Sequence, residues 1–217
     1  MLVVGPDFDR RIDLPGAGPC PRPVDIDRSK AALERLVSLR VYSFASGVEI
    51  DGEAEGDEVF IVLMRGAADF AVDHGGARAD FALRINGERA IYMPPHASYH
   101  LRAVEDCDIA YARCDPVGEG RAVRGFSAEG GRVSVADHAG GMELALQTLS
   151  VGRHPLVAAN GGSPERFVHV RSNGGTIRLG GERLGDWSSA ILSDGERTVM
   201  EIEGNLIDIL TISATGR

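Results

Sequence analysis

Lysine is nearly missing from this chain: among 217 residues only Lys30 carries an ammonium group, and every other basic residue is arginine. The 23 basic residues are interleaved with 32 acidic ones, leaving a formal charge of -9. That balance excludes a nucleic-acid-binding surface, because neutralising a phosphate backbone takes clustered Lys and Arg. Cysteine is scarce too. Cys20, Cys107 and Cys114 cannot all pair with one another, and none stands in a C-x-x-C spacing that would suggest zinc or redox chemistry. They read as free thiols of a reducing compartment. Long apolar runs are absent. Nowhere do about 18 uncharged apolar residues follow one another, and the opening "MLVVGPDFDRR" is charged by its seventh residue, unlike a signal peptide. The expectation is a soluble, cytoplasmic protein with no membrane partner.

What is abundant is glycine. Its 28 residues recur among short apolar runs, the punctuation of many short strands joined by tight turns. Strands are expected at 39–44, 58–64, 68–72, 89–93, 98–104 and 108–114, and after a Gly-rich bridge at 132–136, 143–151, 166–172, 175–180, 187–193, 197–204 and 206–213. Only "DRSKAALERLVS", residues 27–38, has helical spacing, with Asp27 as cap and Ala32, Leu33, Leu36 and Val37 as an apolar stripe. The Pro- and Gly-rich residues before it read as an extended arm that covers a sheet edge or reaches a partner subunit.

The strand series repeats. "DEVFIVLMRG" and "PERFVHVRSNGG" each open an apolar strand with an acidic residue and run to a Gly turn, which sets Glu58 and Glu165 107 positions apart (165 minus 58). "PPHASYHL" and "SDGERTVM" are each a turn feeding a strand. Two diverged copies of one β-module explain this better than a single long meander. The bridge 115–132 marks the boundary, with one domain over 1–120 (arm, helix and first barrel), a linker at 121–130 and a second, degenerate barrel over 131–217.

A pair of small barrels, each with a turn before its returning strand, resembles a bicupin. Over residues 37–116 the chain is similar to the N-terminal half of the 5-deoxy-glucuronate isomerase family of inositol catabolism. The similarity is carried by "ASG" at 45–47, "DE" at 57–58, "RG" at 65–66 and the "YMPPHASY" turn. It implies an all-β fold of two tandem cupin-like jelly-roll barrels meeting at a small interface, and a homodimer. It also implies interconversion of an aldose-type uronate with its ketose, and a metal site in the second barrel made of two His separated by one residue, a Glu and a later His. Such a ligand set leaves open positions for substrate oxygens on a divalent ion.

This sequence departs from that pattern. Counting back from Glu165, the His pair falls at Asn160 and Gly162, and the third His position falls at Thr198. Only Glu165 remains, so the expectation is no metal ligand set and no cofactor, with a divalent ion left open. The matching loop of the first barrel offers Glu53, Glu55, Asp57 and Glu58, which could hold a hard cation weakly or form a solvated acidic loop. Tyr99 stands where a His ligand would be, and His100 points to the opposite face.

Glu165, Phe167 and His169 share one strand face. Glu165 and His169 are therefore the candidate acid and base, provided that face lines an open cavity in the second barrel. Asn160, Thr198, His96 and Tyr99 are the candidate substrate-binding residues. His74, His138 and His154 sit beside turns and read as surface residues. Two functions follow: an aldose–ketose isomerase-type bicupin that acts on a sugar acid or inositol-derived carbohydrate, or a non-catalytic cupin that binds such a molecule as a sensor or accessory protein.

Overall fold

A computed structural model describes all residues except 119–120, 131, 137, 139, 157–164, 173, 194–197 and 215–217. The arm supplies β1 (Leu2–Val4), β2 (Arg11–Leu14) and β3 (Gly18–Pro21). The first half continues through β4 (Val24–Asp27), β5 (Leu36–Phe44), β6 (Glu49–Glu53), β7 (Glu58–Arg65), β8 (Ala67–His74), β9 (Ala77–Arg84), β10 (Glu88–Met93), β11 (Ser98–Ala103), β12 (Cys107–Cys114) and β13 (Arg124–Ser127). The second half holds β14 (Arg132–Val135), β15 (Met142–Leu149), β16 (Gly152–Leu156), β17 (Glu165–Arg171), β18 (Thr176–Leu179), β19 (Glu182–Leu184), β20 (Ser189–Ser193), β21 (Thr198–Glu203) and β22 (Ile207–Ala214).

The strands of the first half join one ten-stranded sheet in the order β4-β5-β12-β7-β10-β9-β8-β11-β6, with β13 also on β10. It curls around an apolar interior built from every second residue of its strands: Val59, Ile61 and Leu63 on β7, Ile109 and Tyr111 on β12, and Leu101 and Ala103 on β11. One tight turn shows why the motif "RG" stands where it does. Gly66, with φ of 80°, lies so close to the Asp106 carbonyl and Cys107 that a Cβ would overlap them.

In the second half a six-stranded sheet, β1-β20-β17-β22-β15-β14, packs against a four-stranded one, β16-β21-β18-β19. Val168, Val170, Leu179, Ala190, Leu192 and Ile209 fill the space between the two sheets. The opposite face of the six-stranded sheet, with Phe167, Leu210 and Ile212, meets the outer face of β5, β7, β10 and β12, with Leu39, Val41, Phe60 and Tyr92. This junction is the largest apolar cluster among the described residues, so the halves are joined by a broad core and not by a small interface. Each large side chain buried there contributes about 1.5–3 kcal/mol.

Two features of the arm bear on the site. β1 pairs with β20, Leu2 opposite Ile191, and so covers an edge of the far sheet. The hairpin of β2 and β3 packs Leu14, Ala17 and Cys20 against the interior of the ten-stranded sheet.

The helix expected at 27–38 does not form. Residues 24–27 and 36–44 are strands, and the segment between them makes turns. Asp27 does act as a local cap, accepting from the Ser29 amide at 2.9 Å, and the amides of Lys30 and Ala31 return to its carbonyl. The helical pattern then fails because the amides of Glu34, Arg35 and Leu36 are taken by a carboxylate 129 to 131 residues away, that of Glu165. A distant acceptor outcompetes local i to i−4 pairing, and local periodicity carries no trace of it.

Candidate functional site

One end of the ten-stranded sheet's interior opens as a cavity of about 210 Å³. Arg40, Tyr42 and Phe44 face it from β5, Tyr111 and Arg113 from β12, and Tyr99 from β11, all by strand alternation. Asp51, Glu53 and Glu55 stand at its acidic side, and Leu14 reaches it from the arm hairpin. Arg40 and Tyr111 are directly opposite each other on neighbouring strands. The three tyrosines cluster, with ring centroids 5.3 Å apart for Tyr42 and Tyr111 and 6.0 Å for Tyr99 and Tyr111.

Tyr99 crosses the strand opposite it at Gly52, its register partner on β6. A Cβ at residue 52 would occupy the place of the Tyr99 phenol. Burial pushes the Tyr99 hydroxyl up to about 12, with Tyr111 and Arg113 working against the rise and Tyr42 adding to it. Tyr111 is raised well above the ordinary phenol value by the same desolvation. Both are therefore hydrogen-bond donors at neutral pH, not bases.

The charged groups fall into two opposed sets. On one side Arg10, Arg22, Lys30 and Arg40 all converge on the single carboxylate of Asp25, Arg22 at 3.1 Å and Arg40 at 3.3 Å. On the other, Arg113 is held by two carboxylates, Glu55 at 2.7 Å and Asp57 at 2.8 Å, and also donates to the Ala54 carbonyl. Cation exceeds anion on the first side and anion exceeds cation on the second.

The candidates named from the sequence part company here. Tyr99 lines the cavity, whereas His96 is exposed and outside its lining, with φ of 65° and its amide donating to the Glu55 carbonyl at 2.6 Å. Glu165 and His169 do share a face of β17, but that face turns towards the first half and away from the apolar interior of the second. The Glu165 carboxylate takes the amides of Arg35 at 2.9 Å and Leu36 at 2.8 Å as well as that of Glu34. His169 is fully buried, with Nδ1 3.0 Å from Ser189 Oγ and its ring edge-on to Trp187. Burial first, then the neighbouring Arg171, depresses its pKa to about 3. It is neutral at ordinary pH. Asn160 lies outside the described residues, as does the side chain of Thr198, whose backbone opens β21.

Glu58 mirrors Glu165. It is buried, accepts from the Tyr92 hydroxyl at 2.8 Å, and takes the amides of Gly140 at 3.0 Å and Gly141 at 2.6 Å. A second cross-junction contact is ionic. Asp108 on β12 binds Arg171 on β17 at 2.7 Å, Arg65 at 2.8 Å and the Ser43 hydroxyl at 2.7 Å. Burial would raise the Asp108 carboxyl, but these three donors outweigh it and hold the group below the usual range. Arg171 in turn lies 3.9 Å over the Trp187 ring. The three cysteines are free and buried.

The donor set does not suit the divalent ion that the resemblance implies. Glu55 and Asp57 are engaged by Arg113, Glu58 and Glu165 bind backbone amides at the junction, and Tyr99 occupies the place of an imidazole. Among the described residues, no group of three His, Cys, Asp or Glu is placed to hold a metal ion. The same residues contain no helix long and apolar enough to cross a membrane.

The curled sheet with a polar cavity at one end, backed by a second sheet pair, defines a cupin-like all-β protein. The profile of the KduI/IolB family matches residues 21–136, more than half of the 217, and the chain belongs to that family. No curated protein matches the sequence. Among solved structures, an IolB-like protein from Salmonella typhimurium LT2 is similar at TM-score 0.68 and 18% identity, over 90% of this chain and 89% of that one. Protein Ylba from E. coli aligns at TM-score 0.72 and 16% identity, over 99% and 90%. Oxalate decarboxylase OxdC of Bacillus subtilis aligns at TM-score 0.71 and 9% identity, over 100% and 78%. These three establish the fold.

The residues that sequence reasoning missed are Arg40, Tyr111 and Gly52. The signal was available. "RVYSF" and "DIAYARC" place Arg, Tyr and Phe, or Tyr and Arg, at alternate positions of otherwise apolar strands, so one face of each is polar and aromatic.

Proposed function

We propose that this chain binds a sugar acid or an inositol-derived carbohydrate in the cavity of its first half, as a two-module cupin of the isomerase-type KduI/IolB family. The observation that carries the reading is the lining of that cavity: three phenols, two guanidinium groups and three carboxylates around about 210 Å³. The volume lies below the range of about 300–1,000 Å³ common for drug-sized ligands, which favours a small molecule. A polyhydroxylated ligand both donates and accepts hydrogen bonds. Protonated Tyr99 supplies a donor, and Glu53 and Glu55 supply acceptors.

Aldose–ketose isomerisation is the reaction that family membership favours. It needs a proton moved between adjacent carbons, and the groups at this cavity able to take it are the carboxylates of Asp51, Glu53 and Glu55, with a phenol hydrogen-bonded to the carbonyl oxygen. Binding without turnover is the second reading, favoured by the engagement of Glu55 with Arg113. Calorimetric titration with D-glucuronate and myo-inositol tests the binding, and proton NMR of the same mixtures in deuterated water tests the chemistry. Saturable heat with deuterium entering the ligand supports the isomerase. Saturable heat without exchange supports the binding protein, and no heat from either ligand overturns the proposal.

A further inference from the structure

The arm hairpin joins none of the larger sheets. β2 and β3 pair only with each other, from Arg11 opposite Pro21 to Leu14 opposite Gly18. Among the described residues, none outside 8–22 forms a hydrogen bond or ion pair with residues 11–21. Apolar contact alone holds the hairpin on the ten-stranded sheet, through Leu14, Ala17 and Cys20. Its place is the seam of that curled sheet. β4 pairs with β5 only over residues 38–41, which leaves Tyr42 to Phe44 without a strand on that side, and β6 closes the strand order at the other end. β3 lies against β5, and the turn at Gly16 sits beside the Glu49 carbonyl of β6. The cavity lies under the same seam: Tyr42 and Phe44 line it from β5, Ile50 to Glu53 from β6, and Leu14 from the hairpin between them.

The base of the hairpin is fixed differently. Arg10 and Arg22, which flank it, both bind the Asp25 carboxylate, and the Arg22 amide donates to the Arg10 carbonyl at 3.1 Å. Lifting the hairpin about that base breaks no hydrogen bond of the curled sheet, whereas moving any strand of the sheet breaks several, so the hairpin is the element able to open by itself. We propose that residues 11–21 form a hinged lid over the first-half cavity, which opens as a unit to admit the ligand and closes with Leu14 against it. Cys20, 4% exposed in the closed form, is uncovered at each opening, while Cys107 and Cys114 on β12 stay buried. The inference rests on the binding reading above for its ligand and on the hairpin alone for its motion.

The test labels the three native thiols of the unmodified protein with iodoacetamide and follows each by peptide mass spectrometry. Cys20 is expected to react at least about tenfold faster than Cys107 and Cys114, and saturating D-glucuronate to slow it at least about fivefold. Arg10→Gln, which loosens the base, is expected to speed Cys20 several-fold and to leave the other two unchanged. Equal rates at all three thiols overturn the lid, because Cys20 is then uncovered only by global unfolding. An Arg10→Gln rate equal to that of the unmodified protein assigns the reaction to static exposure, which also overturns it. If calorimetry shows D-glucuronate bound and Cys20 reacts no more slowly, the hairpin does not cover the ligand, and the lid falls while the binding reading stands. If D-glucuronate gives no heat, the binding reading fails, and the rates on the free protein still decide whether the hairpin opens.

Discussion

The carboxylates of Glu58 and Glu165 cross the junction between the two halves in opposite directions. Glu58, at the start of β7, takes the amides of Gly140 and Gly141 just ahead of β15, and Glu165, at the start of β17, takes the amides leading into β5. Each half thus anchors the first long strand of the other. Glu58→Gln and Glu165→Gln are each expected to lower stability by about 2–3 kcal/mol, because each replaces charge-assisted bonds to buried amides with a poorer match. Urea denaturation reads this as a lower midpoint at unchanged slope. A wild-type midpoint in either variant would argue against the strut role and for a side chain free to do chemistry.

His169 makes stability depend on pH in a stated direction. Its folded value, about 3, lies below the ordinary value near 6.5, so the unfolded chain binds more protons between those limits. Its burial therefore costs nothing above about pH 6.5, and stability falls as pH drops towards 3, by at most about 1.4 kcal/mol per unit from this group. Arg171, close by, acts in the same sense, and Asp108 opposes it. His169→Gln should flatten the profile of unfolding free energy between pH 6.5 and 4, and an unchanged slope would contradict the assignment.

Asp108→Asn should destabilise the protein by about 3–5 kcal/mol, since it leaves the buried Arg171 without its closest counter-charge. The carboxyl sits below its ordinary range in the folded state. Its contribution is thus complete above the unfolded value near 4 and is lost as pH falls through the folded one. A double-mutant cycle with Arg171→Met isolates the pair, and a coupling energy near zero would show that Arg65 and Ser43 suffice to hold the carboxylate.

Gly52→Ala should impair ligand binding more than folding. The added methyl takes the place of the Tyr99 phenol, which must swing away from β6. Overpacking of this kind costs about 1–3 kcal/mol, and loss of the Tyr99 donor should weaken D-glucuronate binding at least fivefold in a protein that still melts cooperatively. Unchanged affinity would remove Tyr99 from the list of ligand contacts.

Much of this fold was legible in the sequence, and the reasons for the remainder are physical. Short apolar runs between glycines marked most strands, and the "DE" and "PE" openings marked Glu58 and Glu165 as equivalent. Their direction was not legible. "EVFIVLM" and "ERFVHVR" are buried on both faces, so alternation cannot say which face meets a ligand and which meets the neighbouring sheet. The failed helix at 27–38 has the same origin, since its competitor for amides was Glu165 from the other end of the chain. Tyr99 lies on the strand that follows a recognisable turn, and that strand directs it into the cavity. Arg40 and Tyr111 were overlooked because each half of that pair is unremarkable until β5 and β12 are laid side by side.

The pairing of β1 with β20 has a meaning for the order in which the molecule is made. Leu2 to Val4 leave the ribosome long before Ser189 to Ile191, which receive them. Until those residues follow, the nascent chain trails an apolar strand without its β20 partner, and the second sheet cannot close that edge from its own sequence. Synthesis of the two halves as separate polypeptides would divide that edge between them, and each fragment would meet its partner already lacking a piece of itself.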